Sequence, residues 1–272
     1  MTIDLIRRQA YCLLIGMLLP IVSGGAWADT AGDQLAQRVY ERPKGKDSVA
    51  ASTMTLTEEG RAPRVRRLIS YRLEKKPGEA STLIRFSEPA DINGTGLLTV
   101  DYSNAETGQW IYLPALGRVR RISASRKGGR FVNSEYFYED LRERKPSQDL
   151  HRILGHETFN GIQCELLESI PADPGNSIYL KRVSWIDPNS LLALRIDFYE
   201  KSETQASKRW AVRKMNKIQG YWTVLDSAMT DMATGNHTRL TIEKILYDRK
   251  LPASLFTTQT LEDEDAEDEY RP

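Results

Sequence analysis

The sequence predicts a mainly β fold, an antiparallel sheet coiled into a barrel or sandwich. Three observations carry that prediction. Apolar and polar residues alternate with period two over most of the chain, turn signals separate the alternating segments, and no strand–helix–strand repeat occurs. About ten strands at spacings of roughly 8–14 residues and two helices account for the pattern.

The first 28 residues read as an export signal. Arg7 and Arg8 form a positive end, Ala10 to Val22 is an almost unbroken apolar run, and Ala26-Trp27-Ala28 offers small residues flanking a cut before Asp29. An apolar run of about thirteen residues, rising about 1.5 Å each, is too short to cross a hydrocarbon layer of roughly 30 Å. The expected location is therefore periplasmic, with cleavage after Ala28. Only Cys164 lies beyond the signal, so no internal disulfide is expected and stability must come from burial.

A helix opens the domain: Leu35 and Val39 stand one turn apart, and Pro43 follows its end. From there the period becomes two. Met54 and Leu56 alternate with threonines, Val65, Ile69, Tyr71 and Leu73 share a face, and Thr82, Ile84 and Phe86 share another. Turn signals stand at Glu59-Gly60, Pro77-Gly78 and Asn93-Gly94, and Leu97 to Tyr102 and Trp110 to Leu113 continue the series. Ser134 to Arg144 reads as a short helix. Strand patterns resume at 164–170 and recur to 247, with Pro252 and Leu255-Phe256 as a closing element. The boundaries that follow are a signal at 1–28, one β domain at 29–261, and an acidic, disordered tail at 262–272 carrying seven carboxylates between Glu262 and Glu269.

Charge excludes one class of partner. Lys and Arg number 38 against 37 Asp and Glu, and near-neutrality argues against nucleic acid. Chemistry is sparsely supported. His151, His156 and His237 lack the register of a zinc site. Ser134 has no Gly-x-Ser-x-Gly turn, Cys164 opens an alternating segment, and no glycine-rich phosphate loop follows a strand. No catalytic residue, metal or cofactor is expected, and a hydrolase of envelope lipids is the enzymatic alternative set aside on these grounds.

The stretch "GRVRRISASRKGGR" (117–130) holds six bases and no acid, directly after Trp110, Tyr112 and Leu113. Its cations suit lipid phosphates or an acidic partner surface; a solvated hairpin is the plainer alternative.

Two central segments, "FSEPADINGTGLLTVDY" (86–102) and "GQWIYLPALGRVRRISASRKGGRFVNSEYFYEDL" (108–141), resemble the outer-membrane lipoprotein-sorting family of LolA-like periplasmic proteins. So do 185–200, 218–248 and 251–261, so the resemblance spans most of the chain. One departure stands at Phe131-Val132-Asn133-Ser134, where the family pattern leads one to expect a glycine–serine pair after the phenylalanine.

The resemblance implies an open antiparallel β half-barrel with an apolar face covered by helices. It further implies a non-enzymatic, monomeric carrier of lipid or lipoprotein acyl chains, exchanging cargo with a resistance-nodulation-division (RND) type exporter or an outer-membrane receptor. A lipid-sensing module of envelope-stress regulation is the alternative. On this reading Leu56, Ile69, Tyr71, Ile84, Leu98, Trp110 and Tyr112 line the cavity on one sheet face, with Arg118, Arg120 and Arg121 at its entrance. The opening helix and the 134–144 segment are the expected lid elements.

Overall fold

Alternation this regular has to be resolved into one sheet, and in the computed structural model it is. Residues 30–103 and 106–272 are described; the expected signal at 1–28 lies outside them. A helix, α1 (Thr30–Glu41), precedes six strands: β1 (Asp47–Thr57), β2 (Arg64–Lys76), β3 (Glu79–Glu88), β4 (Gly96–Val100), β5 (Gly108–Leu113) and β6 (Arg118–Arg121). Seven more follow: β7 (Asp149–Phe159), β8 (Ile162–Pro171), β9 (Lys181–Ile186), β10 (Ala193–Tyr199), β11 (Lys208–Ile218), β12 (Tyr221–Asp231) and β13 (His237–Tyr247). A short helix, α2 (Thr258–Glu262), lies near the end.

The strands form a single 13-stranded antiparallel sheet in the order β6-β5-β4-β3-β2-β1-β13-β12-β11-β10-β9-β8-β7. The two halves are meanders joined where β1 pairs β13, and the sheet does not close: β6 and β7 are its free edges. These two edges are consecutive in sequence, so the connection 122–148 must travel from one side of the sheet to the other.

The alternating strands expected from sequence are all present, and the two that were not expected are the two edges. β6 has four residues, too few to display a period. β7 is interrupted at Gly155, where φ is +132° and the register against β8 shifts. Its hairpin turn, Asn160-Gly161, has φ of +50° and +79°, as a type I′ turn requires.

The helix expected over 134–144 is absent. Instead the segment makes a single 3-10 turn at Glu139–Leu141, preceded by another at Phe131–Asn133. The cause is local: Tyr138 N donates to the Gly129 carbonyl (3.1 Å) and Glu139 N to that of Lys127 (3.0 Å), beside a bridge between Arg130 and Phe137, so the donors a helix from Ser134 would use are already taken. At the departure from the family pattern, Val132 and Asn133 adopt φ of +47° and +58°, a left-handed conformation natural to glycine and costly for a β-branched residue.

The expectation of a disordered tail is corrected. Residues 264–270 form a 3-10 turn in which Glu267 is fully buried. On β3, Arg85 is 3% exposed and spends all its donors there. Nε and Nη2 reach Glu267 Oε1 (3.0 and 2.7 Å), Nη1 reaches the carbonyls of Gly94 and Leu261, and Nη2 that of Thr260. A run of carboxylates looks like a solvated tail until one of them has an internal arginine to meet.

Candidate functional site

Register assigns every strand residue to a face, because successive side chains alternate. Tyr71 lies opposite Leu83, Leu83 opposite Leu98, and Leu98 opposite Trp110. This face packs under the C-terminal segment, where Tyr71, Leu98, Leu255, Phe256 and Leu261 form one buried cluster with Ile69, Trp110 and Tyr112 against it. The other face carries Met54, Leu56, Leu68, Phe86, Leu97 and Ile111.

The second face is covered by the crossing connection. Phe131 inserts beside Phe86 (ring centroids 5.7 Å) and Tyr138 (6.0 Å). Further along, Tyr136 and Phe137 join Tyr179, Phe198 and Met229. Asp140 accepts from Tyr179 Oη (2.7 Å) and Lys208 Nζ (2.9 Å), and the ammonium lies 3.5 Å from the centre of the Phe137 ring. Burial pulls the Lys208 pKa down, against the opposing effect of Asp140. Arg144, at the far end, is held by Asp149 at 2.7 Å, and Asp149 also binds Arg182. The connection is thus a strap pinned at three stations.

Beside it lies α1. Its buried residues Gly32, Leu35 and Ala36 follow helical spacing, and Leu35 and Ala36 pack on Leu167 and Ile186, with Val39 and Ile153 at the margin. At Gly32 a Cβ would stand 2.8 Å from the backbone of His151 and Arg152, so only glycine lets the first turn seat on β7.

Between α1, the strap and the sheet is a cavity of about 650 Å3, within the usual range of ligand pockets of roughly 300–1,000 Å3. Leu167, Ile186, Ile196, Val224, Ile242 and Ile245 give it an apolar floor, Ala36, Val39 and Leu141 an apolar roof, and Trp222 stands at its margin. A register shift in β13 lets both Ile242 and Ile245 contribute. Strands β2 and β8 both line this hollow although seven pairing steps separate them, which is about 34 Å on a flat sheet. The sheet is therefore strongly curved, and the cavity lies on its inner side.

The polar wall is mainly cationic. Glu143 of the strap binds both Lys44 and Arg72, and Arg72 also binds Glu74 (2.7 Å). Burial alone would raise the Glu143 carboxyl, but Lys44 and Arg72 outweigh it and hold it below the usual carboxylate range. Tyr40 is pushed up to about 12 by burial and by Glu143.

The sequence-predicted lining residues divide between the faces and do not come together. Leu56 and Ile84 lie on the inner face, but under the strap beside Phe131; Ile69, Tyr71, Leu98, Trp110 and Tyr112 lie on the outer face under the C-terminal segment. None of the seven lines the cavity. Arg118, Arg120 and Arg121 sit on the free edge β6, exposed and away from it, with Arg121 stacked 5.9 Å over the Trp110 ring. The residues sequence reasoning missed come from the second half of the sheet and from the Arg42–Lys44 loop. The alternation of β8, β9 and β13 carried the signal, but period two does not say which face is inner.

The histidines are accounted for separately. His151 is buried with Nδ1 2.9 Å from Ser169 Oγ and Nε2 3.0 Å from the Pro146 carbonyl, while His156 is exposed and His237 partly so. Among the described residues no cluster fit to hold a metal occurs, and no helix is long and apolar enough to cross a membrane.

An open, curved antiparallel sheet with its inner face roofed by a helix and a strap defines a LolA-like half-barrel. A domain from Vibrio parahaemolyticus, assigned by name to outer-membrane lipoprotein sorting, is 32% identical, covering 85% of this chain and 98% of its own, with a TM-score of 0.80. A DUF1329 family protein from Desulfovibrio piger is 30% identical over the same shares, also at 0.80. The chain belongs to this outer-membrane lipoprotein-sorting (DUF1329) family. The family profile that matches residues 78–263 is described only as that of an uncharacterized protein. The LolA superfamily protein NE2245 from Nitrosomonas europaea, 16% identical, covers 84% of this chain and 98% of its own at a TM-score of 0.67 and shares the fold. No curated protein matches.

Proposed function

We propose that this protein is a non-enzymatic periplasmic carrier that shelters lipid or lipoprotein acyl chains in the inner-face cavity and moves them to or from the outer membrane. The single observation that carries the reading is the apolar floor beneath a roof of separate elements. The floor formed by Leu167, Ile186, Ile196 and Ile242 offers no polar partner, whereas burying each CH₂ there is worth about 0.8 kcal/mol. The name of the relative from Vibrio parahaemolyticus points the same way.

A palmitoyl chain gains roughly 12 kcal/mol gross by this count, enough to keep it from water and too much for spontaneous release. Release therefore needs the roof to move, and α1 and the strap are suited to that because each is attached to the sheet by side chains and not by strand pairing. Arg118, Arg120 and Arg121, on a free edge strand, are the proposed contact with the acceptor, an RND-type exporter or an outer-membrane receptor. Native mass spectrometry of protein taken from the periplasm tests the reading. Co-purifying acyl lipid, lost when Ile186→Trp fills the floor, is expected; lipid-free protein that also fails to take up palmitate after detergent exchange contradicts it.

A further inference from the structure

The cavity has a neighbour. A second hollow of about 690 Å3, lined largely by polar residues such as Gln37, Glu41, Lys46, Glu74 and Ser103, shares Tyr40, Arg42, Lys44, Lys145 and Pro146 with the first. The shared wall is thus the boundary between an apolar compartment and a polar one, and it is cationic.

Its charges do not balance. Arg42, Lys44, Lys46, Arg72, Arg142 and Lys145 face four carboxylates, Glu41, Glu74, Asp101 and Glu143. Lys44 and Arg72 both lean on Glu143. Arg42 has no ion pair among the described residues; its Nη1 donates to the Val39 carbonyl at the end of α1 (2.8 Å). Arg72, close enough to Arg42 for mutual repulsion, keeps a buried Nη1 with no partner at all. Unpaired buried donors on a cation are costly, and a guanidinium presents a planar fork that fits carboxylate or phosphate oxygens. Burial lowers the Arg42 pKa, against the opposing pull of Glu143. Cations outnumber carboxylates in this corner, at the point where an acyl chain leaving the apolar floor reaches the polar compartment.

Resting on the carrier reading, we infer that the Arg42–Arg72 corner binds the anionic headgroup, phosphate or carboxylate, of an amphiphile whose hydrocarbon lies on the inner-face floor. The second hollow takes whatever extends beyond that headgroup. Arg42 belongs to the loop after α1, so the headgroup contacts the roof at its hinge and occupancy is linked to the seating of the helix.

The test is calorimetric titration of delipidated protein with palmitoyl lysophosphatidate, palmitate, uncharged monopalmitoylglycerol and inorganic phosphate. The two anionic lipids are expected to bind roughly tenfold or more tighter than monopalmitoylglycerol, the decade that one charge-assisted contact supplies. Arg42→Gln, with an unchanged melting temperature in the empty protein, is expected to bring the three lipids to within about twofold of one another. Arg42→Lys should restore part of the preference, having the charge without the fork. Equal affinity of the wild type for charged and uncharged lipids overturns the headgroup inference and leaves the carrier reading standing. Inorganic phosphate binding as tightly as lysophosphatidate overturns it in favour of a free-anion site. Failure of every lipid to bind removes the carrier reading and the inference with it.

Discussion

Arg85 is the buried cation of the outer face, with every donor bonded. Replacing it with methionine keeps the stem and removes every donor, leaving the Glu267 carboxylate and the carbonyls of Gly94, Thr260 and Leu261 without the partners they have now. Both side chains are almost wholly buried, and breaking such a pair from one side costs about 3–5 kcal/mol because a charge is stranded. Glu267→Gln keeps an acceptor and should cost less, about 1–3 kcal/mol. Burial raises the Glu267 pKa above its ordinary 4.5, against the pull of Arg85. A raised carboxyl contributes most below its unfolded value and loses that contribution as pH rises through the folded one. Glu267→Gln should therefore flatten a decline in stability above pH 4.5. Urea denaturation of Arg85→Met, Glu267→Gln and the double variant, with hydrogen exchange over 251–272, measures all of this. An Arg85→Met variant within about 0.5 kcal/mol of wild type, with the C-terminal segment still protected, would refute the reasoning.

Other consequences follow for the roof. Gly32→Val places carbon where the β7 backbone stands 2.8 Å away, so α1 should lift, at a cost of about 1–3 kcal/mol; hydrogen exchange should show lost protection confined to residues 30–41. Phe131→Ala removes a fully buried ring between Phe86 and Tyr138 and should cost about 3–5 kcal/mol, read from thermal melting, while loosening the strap. Glu143, with its pKa lowered by Lys44 and Arg72, contributes stability above its ordinary 4.5 that is lost as pH falls through the folded value. Melting temperatures between neutral and acid pH should therefore fall less steeply in Glu143→Gln than in the wild type.

Much of the fold was legible in the sequence because half-buried strands advertise themselves by alternation, and a sheet with both faces covered still alternates large with small or polar residues along Leu68 to Leu73. The unmarked parts have physical causes. β6 is too short to show a period, and Gly155 breaks that of β7. The strap reads as a helix by composition, but the carbonyls of Gly129 and Lys127 take the backbone donors of Tyr138 and Glu139. The candidate site was less legible. Tyr71 and Trp110 read as cavity residues because they alternate correctly, yet which face is inner depends on what covers the other one, and Leu255, Phe256 and Leu261 cover it from far along the chain. The Arg85–Glu267 pair spans 182 residues, a distance at which local pattern carries no information.

The central claim is that the inner-face cavity holds hydrocarbon, and chain-length dependence tests it most directly. Saturated fatty acids of increasing length should bind the delipidated protein about fourfold more tightly per added CH₂, the factor corresponding to about 0.8 kcal/mol, until the floor is full. Ile186→Trp should stop the increase at a shorter chain. Affinity that does not change with chain length, or that Ile186→Trp leaves unaltered, would contradict the account.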